Sequence, residues 1–109
     1  ELVRLVEQKH GVFISWIEEQ AVESRSTPVD APVVKALSAA IETIYGVKAR
    51  PIGIGGGTVG AYLRNAGYDA VVWSRMDETA HQPNEYCLLD NLVGDSSVMC
   101  ALMLKGLPS

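Results

Sequence analysis

The sequence is poor in the groups from which self-contained metal and redox sites are built. It holds two cysteines and two histidines in 109 residues. Cys87 and Cys100 share no C-x-x-C, which excludes a disulfide framework and a cysteine-rich zinc site. Both sit among Leu, Val and Met, the setting of a buried, reduced thiol in a cytosolic protein. Basic residues are outnumbered, nine against 13, for a net charge of -4. That balance argues against a nucleic-acid or polyanion surface. No apolar run approaches the roughly 20 residues of a membrane span, and no charged-then-apolar signal segment opens the chain. The reduced thiols set the expected location in the cytoplasm. No internal repeat or low-complexity tract is present.

What remains is the composition of one folded domain, with 48% hydrophobic and 20% charged residues. Residues 1–9 carry Leu2, Leu5 and Val6 on one helical face, and Gly11 ends that pattern. No N-cap residue precedes it, so an N-terminal truncation is expected. His10 reads as a helix C-terminal group. Residues 12–17, Val-Phe-Ile-Ser-Trp-Ile, predict a strand reaching toward Val22. Residues 24–32 hold Pro28 and Pro32 with Ser24 and Ser26 and no periodicity, and read as a linker.

Beyond it, Asp30 and Pro32 predict a helix start. Val33, Val34, Leu37, Ala40, Ile41 and Ile44 form the apolar stripe, and Gly46 the stop. A short strand is expected at 47–52, with Pro51 at its end or on an edge. A glycine turn, a helix over about 59–65, a buried strand at 69–74 and a polar loop at 75–84 follow. A long helix closes the pattern over 85–105, with Asn84 as its N-cap and Leu88, Leu89, Leu92, Val93 and later Val98, Leu102 and Met103 apolar. Strands alternating with helices predict an α/β layer with a partly parallel sheet.

Two segments carry the chemistry. Gly55, Gly57 and Gly60 match G-x-G-x-x-G between a strand and a helix, with Asp77 about 20 residues on, where a dinucleotide fold places its ribose-binding acid. The same turn suits a carboxylate or other anion held by backbone N–H groups, or a tight turn with no ligand. The second segment is Asp77-Glu78-Thr79-Ala80-His81-Gln82-Pro83-Asn84-Glu85-Tyr86. It places a histidine among carboxylates at the carboxyl end of a strand, where α/β proteins build their sites. A single histidine cannot complete a metal site, since zinc takes three or four protein ligands.

Together, Gly56-Gly57-Thr58, the Ala70–Trp73 strand and the run from Thr79 to Tyr86 resemble the C-terminal part of the M20 family. These are dinuclear metallo-hydrolases that include succinyl-diaminopimelate desuccinylases, acetylornithine deacetylases and carboxypeptidase-G2-like enzymes. The resemblance implies that residues 1–23 are the tail of a lid and dimerisation domain and residues 24–32 the return linker. Residues 33–109 would be the C-terminal part of a zinc-peptidase-like α/β catalytic domain. It implies His81 as the last ligand of a two-metal site (zinc, or cobalt or manganese). Gly56, Gly57 and Thr58 would hold a substrate carboxylate. Asp77 stands where desuccinylase-like members carry a substrate-contacting Asn, and an acid there repels a substrate carboxylate. Val59, Gly60 and Tyr62, with Arg64 further on, replace the Asp and Arg that many members carry after G-G-T.

The family's other ligands and its general-base Glu are not in this sequence. By this resemblance the chain is part of a homodimeric amide hydrolase acting on N-acyl amino acids or small peptides, inactive by itself. Two other classes remain open on the residues alone. One is a small nucleotide-binding module built on the glycine turn. The other is a non-catalytic interaction module whose strand at 12–22 pairs with a partner's sheet edge.

Overall fold

A computed structural model describes residues 1–19, 21, 23–53 and 57–106. The strand expected to reach Val22, and Gly55 and Gly56 of the glycine turn, lie partly or wholly outside those residues. Among the described residues there are four helices: α1 (Leu2–His10), α2 (Pro32–Tyr45), α3 (Val59–Asn65) and α4 (Leu89–Lys105). None is long and apolar enough to cross a membrane.

Helix α1 buries no side chain of its own. It stops at Gly11, whose left-handed backbone (φ 62°) lets its N–H reach the Glu7 carbonyl. The Glu7 carboxylate then accepts the Ile14 N–H at 2.8 Å and turns the chain back. Residues 12–19 form no strand ladder among the described residues, and Phe13 and Ile17 stand 88% and 89% exposed.

Helix α2 starts one residue later than an Asp30 cap would place it. Pro32 occupies the first turn and holds the preceding residue extended, so Ala31 (φ -57°, ψ 145°) becomes the N-cap. Its inner face is Val34, Leu37, Ala40 and Ile41, a 3–4 residue spacing that matches the apolar stripe. Leu37, Ala40 and Ile41 pack with the fully buried Val98 of α4. Tyr45, Ala49, Val71, Trp73, Ala101 and Leu102 close around them.

The two strands predicted over 47–52 and 69–74 form no ladder among the described residues. Each still delivers side chains to the core, Ala49 from the first and Val71 with Trp73 from the second. Val72, between the last two, faces the opposite way and is exposed. That alternation is the period of a strand. On the Val72 side lies α3. A Cβ at Gly60 would come within 3.1 Å of Val72 Cγ2, so the glycine permits the close approach. The 69–75 segment therefore runs between the α2/α4 pair and α3.

Tyr45 is wedged where α2 meets α4. Its ring meets Trp73 edge-on at 5.9 Å between centroids, and the Arg75 guanidinium lies 4.8 Å from the ring centre. Its hydroxyl donates to Asp95 Oδ1 at 2.8 Å, with the Asn91 carbonyl at 3.3 Å as a longer branch. The space for the ring exists because position 94 is glycine; a Cβ there would meet the Tyr45 hydroxyl and stand 2.6 Å from Cζ.

Other expectations fail for geometric reasons. Helix α4 presents Val98, Ala101 and Leu102 inward, so of the expected apolar set Val98 and Leu102 meet the core, while Leu89, Leu92, Val93 and Met103 are exposed. Cys100, two positions from Val98 on a 100°-per-residue helix, points away from the core, and Cys87 precedes the helix; both thiols are free and exposed rather than buried.

Two outcomes follow for stability. Gly94→Ala gains roughly 1 kcal/mol of helix propensity yet forces Tyr45 off Asp95. We expect it to lower the urea midpoint; an unchanged or higher midpoint would show that the wedge does not matter. The Tyr45 phenol is pushed above its ordinary 10.0 by desolvation first, then by the Asp95 hydrogen bond and charge, with Arg75 opposing. The neutral phenol is thus the form the fold favours. Its contribution is complete below the unfolded value and is lost as pH rises past the folded one. Denaturation melts taken through this alkaline range should lose stability, and Tyr45→Phe should flatten that loss.

Candidate metal and substrate site

The 69–75 segment leaves the core at Ser74 and Arg75, and both are caught by α4. Asp95 Oδ2 accepts the Ser74 hydroxyl and the Arg75 N–H, each at 3.0 Å. Residues 76–88 then form a loop that returns to α4. The loop is stitched internally. Thr79 N–H donates to the Asp77 carbonyl at 2.8 Å, Gln82 N–H to Thr79 at 3.1 Å and Glu85 N–H to Gln82 at 3.2 Å. The Gln82 side-chain amide reaches the Glu78 carbonyl at 2.8 Å, and the Thr79 hydroxyl reaches the Tyr86 carbonyl at 3.2 Å.

His81 sits at the turn of this loop with φ 61°, and Asn84 follows with φ 62°. Non-glycine residues in this left-handed region cost on the order of 1–3 kcal/mol when held there, and His and Asn are among those that tolerate it best. Glu85 holds His81 in place, its Oε2 accepting the His81 N–H at 3.1 Å. The His81 side chain is exposed, and its imidazole makes no hydrogen bond among the described residues. Both ring nitrogens are therefore available.

This arrangement explains why α4 does not begin at Glu85. Asn84 is left-handed rather than a cap, and Glu85 is turned back toward His81. Residues up to Leu88 (φ -70°, ψ 131°) carry the chain to the helix, whose first-turn acid is Asp90.

The glycine turn lies at the start of α3. Gly57 is exposed, and a Cβ there would meet nothing within 4 Å. Its backbone is open to approach. Thr58 is the N-cap by position (φ -135°, ψ 157°), but its side chain makes no capping hydrogen bond. The hydroxyl is thus not consumed by the helix. Gly56 lies outside the described residues. Asp77 is half-buried, and its carboxylate makes no hydrogen bond among them.

The 69–75 segment links the two places. Gly60 packs on Val72, and the same segment runs on into the His81 loop. Among the described residues no three His, Cys, Asp or Glu side chains converge on one point. An available imidazole suits a divalent metal such as zinc as one donor; the described residues do not make a complete site.

Sequence reasoning missed Asp95 and the residues that pin the linker. Arg64 directs Nε (3.1 Å) and Nη2 (2.8 Å) at the Ser24 hydroxyl and Nη1 at the Ala70 carbonyl (3.0 Å). Asn65 Nδ2 donates to the Glu23 carbonyl at 2.6 Å. The Thr27 hydroxyl donates to the Ala70 carbonyl at 2.7 Å and accepts the Ala70 N–H at 3.1 Å. None of these contacts has a local signature in the chain.

The chain matches the model of peptidase family M20/M25/M40 over residues 11–105. It is 39% identical over 88 residues to an uncharacterized metallohydrolase of Methanococcus maripaludis, a match covering 81% of this chain and 21% of the relative. It is 40% identical over 77 residues to an uncharacterized metallohydrolase of Methanocaldococcus jannaschii, covering 71% of this chain and 19% of that protein. The chain thus spans about a fifth of the length of these relatives. No solved structure matches it. Both relatives are named as metallohydrolases, and none of these similarities favours a nucleotide-binding module. With its match running from Gly11 to Lys105, the chain belongs to peptidase family M20/M25/M40.

Proposed function

We propose that this chain supplies one metal ligand, His81, and part of a substrate-carboxylate cradle, Gly56, Gly57 and Thr58, to a metal-dependent amide hydrolase. The observation that carries the reading is the state of His81. A histidine is held in a left-handed turn by Glu85 while its imidazole is left exposed and unengaged. A loop histidine needed only for solubility has no reason to be fixed in this way.

The remaining parts of the reading rest on the family. The other ligands and the general base would come from polypeptide beyond this chain, as the length of the relatives suggests. Zinc, cobalt or manganese would serve, polarising the scissile carbonyl and lowering the pKa of a bound water. In this chain the Thr58 hydroxyl and the backbone N–H groups of the glycine turn donate to a substrate carboxylate. Glu85 keeps the His81 backbone in register. Asp77, in the same loop, disfavours a second carboxylate beside it, which points to N-acyl amino acids or small peptides with a single terminal carboxylate.

On this reading residues 33–109 form the C-terminal part of an α/β catalytic domain. The passage of the 69–75 segment between α3 and the α2/α4 pair supports that layering. Residues 1–23 form the tail of a lid domain, residues 24–32 the linker, and the bare Phe13, Trp16 and Ile17 belong to a surface used in a homodimer.

The test is His81→Asn in the protein as its native gene encodes it. Asparagine keeps the left-handed backbone and removes the imidazole. Metal affinity, read by competition with a chelator, should fall by more than about 100-fold, beyond what loss of an outer-shell partner costs. Hydrolysis of an N-acyl amino acid should fall with it. Unchanged affinity and turnover would remove His81 from the metal site.

A further inference from the structure

The His81 loop has two ends, and one carboxylate holds them together. Arg75 is the last residue before the loop, and α4 begins at Leu89 just after it. Asp95, nearly two turns into α4, reaches back across 20 positions to the Arg75 N–H and across 21 to the Ser74 hydroxyl. Its other oxygen takes the Tyr45 hydroxyl from α2. Both oxygens are therefore committed, and all three partners are donors.

We propose that Asp95 is the positioning residue of the His81 loop, fixing where the loop departs from the core relative to the helix it enters. The proposal rests on the reading of His81 as a metal ligand. Charged acceptors make the shorter, stronger hydrogen bonds, and an anchor at Arg75 removes the freedom that would otherwise spread the loop's conformations. Glu85 orients His81 within the loop; Asp95 orients the loop on the domain.

The Tyr45 and Ser74 hydroxyls can each reverse direction, whereas the Arg75 N–H can only donate. An amide at position 95 can still present its oxygen to Arg75 and Ser74 and its NH2 group to the Tyr45 oxygen. Asp95→Asn therefore keeps the tie in weakened form, and Asp95→Ala removes it. Tyr45→Phe is the contrast, because it takes away the anchor on α2 and leaves Ser74 and Arg75 held.

The experiment uses the native-length protein. Zinc affinity is measured by chelator competition, the visible spectrum of the cobalt-loaded form reports ligand geometry, and hydrogen exchange reports the amides of 77–86. Asp95→Ala should weaken zinc binding by roughly 10- to 100-fold, the range for outer partners of a metal ligand. It should also alter the cobalt bands and speed exchange in the loop. Asp95→Asn should recover most of the affinity, and Tyr45→Phe should change stability with little effect on affinity or bands. A folded Asp95→Ala protein with native zinc affinity, cobalt bands and loop exchange would overturn the proposal. So would equal losses of affinity in Asp95→Ala and Tyr45→Phe.

Should Asp95→Ala fail to fold, Ser74→Ala is read instead. Losing that one hydrogen bond should weaken zinc binding about 3-fold and quicken loop exchange, and no change in either would overturn the proposal. Faster loop exchange in Asp95→Ala, paired with a His81→Asn protein of native affinity, would discard the ligand reading and Asp95's metal role together. Weakened affinity in His81→Asn with none in Asp95→Ala would discard only the role of Asp95.

Discussion

The structure turns on the contact between the Tyr45 ring and the backbone at Gly94, locked by Asp95. The ring fills a gap that exists only because position 94 lacks a side chain. Its hydroxyl meets a carboxylate that also binds Ser74 and Arg75. Through this one cluster, α2, α4 and the segment between α3 and the core share a fixed relation. The buried apolar set around Val98 is small, so a specific polar tie at its edge carries more of the alignment than it would in a larger core. The His81 loop begins where that cluster ends.

The helices were legible in the chain because their signals are local. The stripe over Val33–Ile44, apart from the exposed Ile44, the terminating glycines at 11 and 46 and the short helix over 59–65 lie where the structure has them. The start of α4 was not legible. Asn84-Glu85 has the composition of a helix start, but a left-handed Asn84 and a Glu85 bonded to His81 commit both residues to the loop. The 69–74 run, read as a buried strand, instead alternates, with Val71 and Trp73 on the core and Val72 exposed. No ladder joins them among the described residues, so the α/β sheet stays a proposal that the layering of α3 and the α2/α4 pair favours.

The candidate site divides in the same way. His81, Gly57 and Thr58 stand out as candidates in the sequence because each belongs to a contiguous motif. Asp95 was invisible, since an aspartate within an amphipathic helix reads as a solvated charge until its partners 20, 21 and 50 positions away are placed beside it. The linker ties of Arg64, Asn65 and Thr27 span 40 to 43 positions, apart from the short reach of Arg64 to Ala70, and were hidden for the same reason. Sequence motifs name the groups that meet a ligand; the residues that aim those groups depend on tertiary contacts.

Membership of peptidase family M20/M25/M40 is the ground on which we propose a metal for the exposed imidazole. A histidine held in an uncommon backbone conformation, with its ring left clear, is what that proposal rests on. The most direct test of that claim is the position of the metal itself, located by anomalous scattering in crystals of the zinc-loaded native protein. The account predicts zinc about 2.0–2.1 Å from a ring nitrogen of His81, with the loop backbone left-handed at His81. A fully loaded site with the His81 ring in solvent would contradict it.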